Sequence, residues 1–210
     1  MIIIFDTETT GLFPGQICQL SYIMIDEKER RTKNFYFTVE HMEDSATAVN
    51  HLTVESLYSL SKGRLFSDDA EEIYNDFSAA DLLIGHNVIF DISFLTREFE
   101  REKFNFRVKE KFCTMRYFTN ILKLPTGRVD RRFKFPKLTE LTAFYRLTED
   151  KIADKTEELF GVSGGAHDAR YDTAAVYMAV ECAVNEGDMY LNDLLSRCIK
   201  GGVYYMGSEQ

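Results

Sequence analysis

The chain begins Met1-Ile2-Ile3-Ile4-Phe5-Asp6-Thr7-Glu8-Thr9-Thr10, and this stretch decides the fold. Ile2 to Phe5 is an unbroken apolar run, the pattern of a strand buried on both faces. It ends on two carboxylates, Asp6 and Glu8. Side chains alternate along a strand, so these two point the same way. Two acids at the mouth of a buried strand repel each other and lose hydration, a cost that a divalent cation offsets. Hard oxygen ligands of this kind suit Mg2+ or Mn2+. A bare Asp-x-Glu is equally the solvated end of a strand.

Working outward, Gly11, Pro14 and Gly15 mark a turn. Residues 17–25 read as a second strand. Residues 34–39 read as a third, with Phe35 and Phe37 alternating against polar neighbours. Strands joined by short turns imply an antiparallel meander. Residues 68–79 have helical spacing, with Asp68 as N-cap. Residues 82–84 form a short buried strand, and a helix follows over 89–101 with Asn87 as its cap. Residues 111–114 read as a last strand, and 139–145 and 167–185 as helices. Strands come first and helices cross between later strands, so the class is mixed α/β with one sheet.

The 210 residues suit one α/β domain. At 45% hydrophobic and 28% charged, the composition is that of a water-soluble globular protein, with no apolar run long enough for a membrane. The first residues reach Asp6 without a basic segment, unlike a secretory signal. Cys18, Cys113, Cys182 and Cys198 form no Cys-x-x-Cys pair and read as reduced core thiols of a cytoplasmic protein. A net charge of −9 argues against a nucleic-acid binder relying on overall charge. Residues 97–137, however, hold 13 Lys/Arg against 5 Asp/Glu. A solvated helix face followed by a loop explains that excess. Arg128, Arg131, Arg132, Lys134 and Lys137, interleaved with Phe133 and Phe135, also have the composition of a single-strand contact.

Three further residues carry chemistry. Asp91 interrupts an apolar segment at a helix start, where an acid can simply complement the helix dipole. His167 and Asp172 are five residues apart, roughly 140° on a helical wheel. They share a site only if His167 lies in or just before the first turn, which a loop at Gly164-Gly165 allows.

In order and context these pieces resemble the DnaQ-like, DEDDh-type 3′→5′ exonucleases. The first block is Ile3-Ile4-Phe5-Asp6-Thr7-Glu8-Thr9-Thr10-Gly11-Leu12. The second is Gly85-His86-Asn87-Val88-Ile89-Phe90-Asp91. The third is His167-Asp168-Ala169-Arg170-Tyr171-Asp172, the His-x4-Asp form of the DEDDh branch. Weaker similarity lies in Ala48-Val49-Asn50-His51-Leu52-Thr53, in Cys113-Thr114-Met115 and in the segment from Phe135 to Leu141. The resemblance runs from Met1 to about Val184. Leu52 departs from the usual Gly, the basic insert 126–135 is long, and residues 190–210 match nothing in the family.

The resemblance implies an RNase H-like fold and two-metal hydrolysis of a nucleic-acid 3′-end, releasing nucleoside 5′-monophosphates from DNA or RNA. Asp6, Glu8, Asp91 and Asp172 are the implied ligands of two Mg2+ or Mn2+ ions. Asp6 lies nearest both, Glu8 and Asp172 complete one site, and Asp91 holds the other. His167 is the implied general base, since an imidazole ordinarily titrates near neutrality. Thr7, Thr9, Leu12 and His51 are implied to hold the terminal nucleotide. Phe90 either stacks on a base or packs in the core. The implied partner is a single-stranded 3′-end. The family includes the proofreading epsilon subunit of bacterial DNA polymerase III, so a DNA polymerase subunit and a place in DNA repair are also in range. Residues 1–186 are the implied exonuclease domain, with 187–210 an extension packed on it. The rival readings are a catalytically silent nucleic-acid- or polymerase-binding module and a small-nucleotide phosphodiesterase.

Overall fold

In a computed structural model of the chain, which describes residues 1–12, 15–127 and 133–198, the opening apolar run is a central strand with Ile2 to Phe5 buried. The elements follow as β1 (Ile2–Thr9), β2 (Ile17–Ile25), β3 (Arg30–Tyr36), α1 (Asp44–Asn50), α2 (Val54–Ser61), α3 (Phe66–Ala79) and β4 (Leu82–Gly85). After them come α4 (Val88–Arg101), β5 (Lys111–Cys113), α5 (Thr114–Leu122), α6 (Leu138–Phe144), α7 (Glu149–Phe160), α8 (Ala169–Asn185) and α9 (Met189–Cys198).

The strands form one sheet in the order β3-β2-β1-β4-β5. β1 to β3 pair antiparallel, and β4 and β5 add parallel to β1. Each parallel step needs a crossover, which α4 supplies between β4 and β5. The alternation along β1 sorts its side chains onto two cores. Ile2 and Ile4, with Ile23 and Ile84, pack under Val176, Tyr177 and Val180 of α8. Ile3 and Phe5, with Tyr22 and Leu83, pack against Ile73 and Phe77 of α3 and Phe94 and Leu95 of α4. Each fully buried Ile or Phe contributes roughly 1.5–3 kcal/mol. The same alternation decides where the residues after Phe5 point.

Several boundaries differ from the expected ones. The third strand is Arg30–Tyr36 rather than 34–39, because the Asp26–Glu29 turn sets the register from Ile25↔Arg30 to Gln19↔Tyr36. The charged start of β3 is tolerated because β3 lies at the sheet edge. The helix expected from Asp68 begins at Phe66. The N-cap is Leu65, whose N–H donates to the Asp68 carboxylate at 2.8 Å, so Asp68 caps from the third position. Asn87 holds the N-cap position of α4 with φ 71° and no side-chain capping bond. The helix expected from 167 begins at Ala169, capped by Asp168. Helices α1, α2, α5, α7 and α9 were not read from the pattern. All four cysteines are free thiols.

Candidate active site

The end of β1 lies opposite β2, with Asp6 facing Ser21 and Glu8 facing Gln19. By alternation Asp6 and Glu8 point to the α8 face, where Asp172 sits in the first helical turn. Thr7 points to the other face, toward α4. Its hydroxyl donates to Asp91 Oδ1 at 2.7 Å, inside the first turn of α4. Asp91 is 3% exposed and Glu8 9%. Four carboxylates from a strand and two helices thus converge at one end of the sheet.

Electrostatics show that the four belong together. Burial pushes the Asp6 carboxyl well above the carboxylate range, and the charges of Asp91, Asp172 and Glu8 push it further. Burial raises Glu8 to about 8, the charge of Asp172 adding and a hydrogen bond with Asn50 opposing. Burial raises Asp91 to about 7 against the Thr7 hydroxyl, and Asp172 to about 7 against the His167 backbone N–H. A cluster so unfavourable to its own ionisation suits bound cations, which remove the repulsion.

His167 is exposed and sits just before α8, with φ 65°. That conformation turns the chain so that the imidazole does share the site with Asp172. One ligand atom each of Glu8, His167 and Asp172 lie within 4.8 Å of one another, a donor set able to hold a metal ion.

The other expected site residues divide. The Thr9 hydroxyl donates to Gly11 O at 2.9 Å, and the Thr9 carbonyl accepts from Asn50 Nδ2 at 3.4 Å. Leu12 is 73% exposed, so an apolar side chain stands free beside the site turn. His51 is exposed in the left-handed conformation that ends α1. Leu52, where the family has Gly, takes no positive φ and packs on the cluster of Cys18, Val39, Met42 and Leu57. Phe90 is half-buried, its ring 4.7 Å from that of Phe94, and belongs to the α4 core. The Lys134 ammonium pairs with Glu140. Arg128, Arg131 and Arg132 lie outside the described residues.

Sequence reasoning missed Asn50, Gln19 and His86. His86 meets Thr114 Oγ1 and the Pro136 carbonyl, each at 3.0 Å, and burial lowers its pKa. As the neutral imidazole it ties the end of β4 to α5 and to the segment before α6. Its place in Gly85-His86-Asn87 was the available signal. Gln19, buried in β2, offered none, its partner Asp168 being distant in sequence.

Residues 3–180 match the RNase T exonuclease family. The chain belongs to that exonuclease family. Its fold is the RNase H-like fold of solved exonucleases. Against Escherichia coli Exonuclease I in complex with a dT13 oligonucleotide, the TM-score is 0.65 at 18% identity. That match covers 92% of this chain and 42% of the other, so the chain spans less than half of that relative's length. Against the Mg2+- and Mn2+-bound form of Schizosaccharomyces pombe Pop2p it is 0.64 at 11% identity, covering 94% and 87%. Against the Neurospora crassa Pan2 catalytic unit it is 0.54 at 16%, covering 96% and 30%. No curated protein sequence matches the chain. Among the described residues, no helix is long and apolar enough to cross a membrane.

Proposed function

We propose that the chain is a DEDDh-type 3′→5′ exonuclease that releases nucleoside 5′-monophosphates from a nucleic-acid strand. The observation that carries this reading is the convergence of Asp6, Glu8, Asp91 and Asp172 with an exposed His167 beside Glu8 and Asp172. The four carboxylates are the ligands of two Mg2+ or Mn2+ ions, and the ions bound to the Pop2p structure support that choice. Bound there, the ions act as Lewis acids that stabilise charge at the scissile phosphate. Asp6 feels the charges of all three other acids. Glu8 and Asp172 share one side, and Asp91, oriented by Thr7, serves the other.

His167 takes the proton from the water that attacks phosphorus. Its exposure lets it reach solvent while its ring stays within reach of Glu8 and Asp172. Backbone around Thr7 and Thr9, the Thr9 carbonyl held by Asn50, holds the terminal nucleotide with Leu12 and His51. The oligonucleotide on Exonuclease I supports a single-stranded 3′-end as partner. The basic segment around Lys134 and Lys137 guides the strand, whereas a polymerase subunit as partner rests on the resemblance alone. We read residues 1–186 as the exonuclease domain and the following segment as an extension on it. Burial of Leu191, Leu194 and Leu195 in the α8 core supports that division.

Polarity and product test the proposal together. A 5′-labelled oligonucleotide with Mg2+ or Mn2+ is expected to give a descending ladder and nucleoside 5′-monophosphates. Immediate release of label, or cutting of a closed circle, contradicts it. Running matched DNA and RNA strands side by side settles the preferred sugar.

A further inference from the structure

Between β2 and the start of α8 lies a hydrogen-bonded cluster that the reaction as described does not use. Gln19 of β2 is 1% exposed. Its Nε2 donates to Asp168 Oδ1 and to Asn34 Oδ1, each at 2.9 Å, and its Oε1 accepts from Ala169 N at 3.2 Å. The donor and acceptor ends of one buried amide thus both bind the first residues of α8. Arg170 closes on the same carboxylate. Its Nε donates to Asp168 Oδ1 at 3.0 Å and its Nη2 to Oδ2 at 2.5 Å. The guanidinium also lies 5.7 Å over the Tyr36 ring and donates to the Tyr36 hydroxyl at 3.1 Å. The Asp168 carboxylate packs against Gly164, where an added Cβ would approach Oδ2 to 3.2 Å.

This cluster fixes the residue immediately before it. His167 is held at φ 65°, a conformation that disfavours a side chain and persists only when neighbours enforce it. On one side Asp168 is bound by Gln19, by Arg170 and by its own capping bond to Arg170 N at 3.0 Å. On the other, the His167 N–H is spent on Asp172. Asp168 is also a further carboxylate beside the four. Its two oxygens are already taken by Gln19, by the Arg170 guanidinium and by the Arg170 N–H, which sets it apart from the metal-binding acids.

We propose that Gln19, Asp168 and Arg170 form a latch whose role is to position His167 for proton transfer, making Gln19 and Arg170 positioning residues of the reaction. The latch rests on the functional reading above, in which His167 is the base. Its planar two-pronged grip needs a guanidinium, so Lys does not replace Arg170.

A double-mutant cycle with His167 tests it, since residues acting through one another are non-additive. Arg170→Gln is expected to lower kcat about 10- to 100-fold with KM almost unchanged, the range usual for groups that orient a reacting side chain. In a His167→Ala background the same change is expected to cost less than about twofold, because there is no imidazole left to position. Binding of Mn2+ alone, measured by calorimetry, stays as in the parent. In the metal-free protein, hydrogen exchange of the amides of residues 167–170 accelerates while the α8 interior stays protected. Gln19→Ala, at a fully buried position, serves as the second variant, with its melting temperature recorded. An equal loss of kcat in both backgrounds, or unchanged exchange at 167–170, overturns the latch. If the parent cuts no nucleic acid, the functional reading fails, and the exchange measurement still decides whether the latch exists.

Discussion

At the scale of single residues, each of the four acids is buried where its surroundings oppose its ionisation. Asp6→Ala, Glu8→Ala, Asp91→Ala and Asp172→Ala are each expected to nearly abolish nuclease activity with the fold intact, checked by turnover beside circular dichroism. Near-parental turnover in any of them removes that residue from the ligand set. Thr7→Val probes the same point more finely. It keeps the shape of Thr7 but leaves Asp91 without its hydroxyl donor, and is expected to lower kcat about 10- to 100-fold. These acids and His167 were singled out in the sequence because they fall in three ordered blocks that resemble the DEDDh family, local pattern alone leaving each open. Asn50 and Gln19 were not, because their partners, Glu8 and Asp168, are distant in sequence and come close only when the sheet and helices assemble.

At the scale of elements, the buried strands β1, β2 and β4 were read to within a residue because apolar residues dominate each of them. The edge strand β3 was misplaced because its charged first half carries no burial signal, its register being set by the turn before it. The turn between β1 and β2 is tied to α4 through Glu98, whose Oε1 accepts from Ile17 N at 2.9 Å and which pairs with Arg101 at 2.6 Å. Glu98→Ala leaves that amide unpaired, a cost of about 1–3 kcal/mol. The melting temperature is then expected to fall by roughly 2–4 °C per kcal/mol. An unchanged melting temperature denies the tie. The basic insert makes a kinetic prediction. Replacing Arg128, Arg131, Arg132 and Lys134 with Ser is expected to raise KM at moderate salt with kcat almost unchanged. The log–log salt dependence of binding is expected to flatten by about one unit for each phosphate no longer neutralised. Unchanged KM on a long single strand assigns strand guidance to another surface.

At the scale of the whole molecule, the buried acids make stability depend on pH. Glu8, Asp91 and Asp172 titrate at about 8, 7 and 7 in the fold, above their ordinary values, so folding favours their protonated forms. Their contribution to stability is full below about pH 4 and is lost as pH rises through 7 to 8. Carboxyls held below the usual range, such as Asp81 and Asp168, titrate lower still and do not offset this loss. With chelator present, the melting temperature is therefore expected to fall between pH 5 and pH 8, by on the order of 5 °C. Mg2+ is expected to stabilise the protein more at pH 8 than at pH 5. A flat profile in chelator contradicts the shared burial of the acids. The most direct test of the account counts the ions the site binds. Titrating Mn2+ into the protein with a nucleoside 5′-monophosphate present is expected to show two ions bound per chain, and Asp6→Asn is expected to lose both that binding and nuclease activity. Two ions bound as tightly by Asp6→Asn as by the parent would contradict a catalytic centre built at the end of β1.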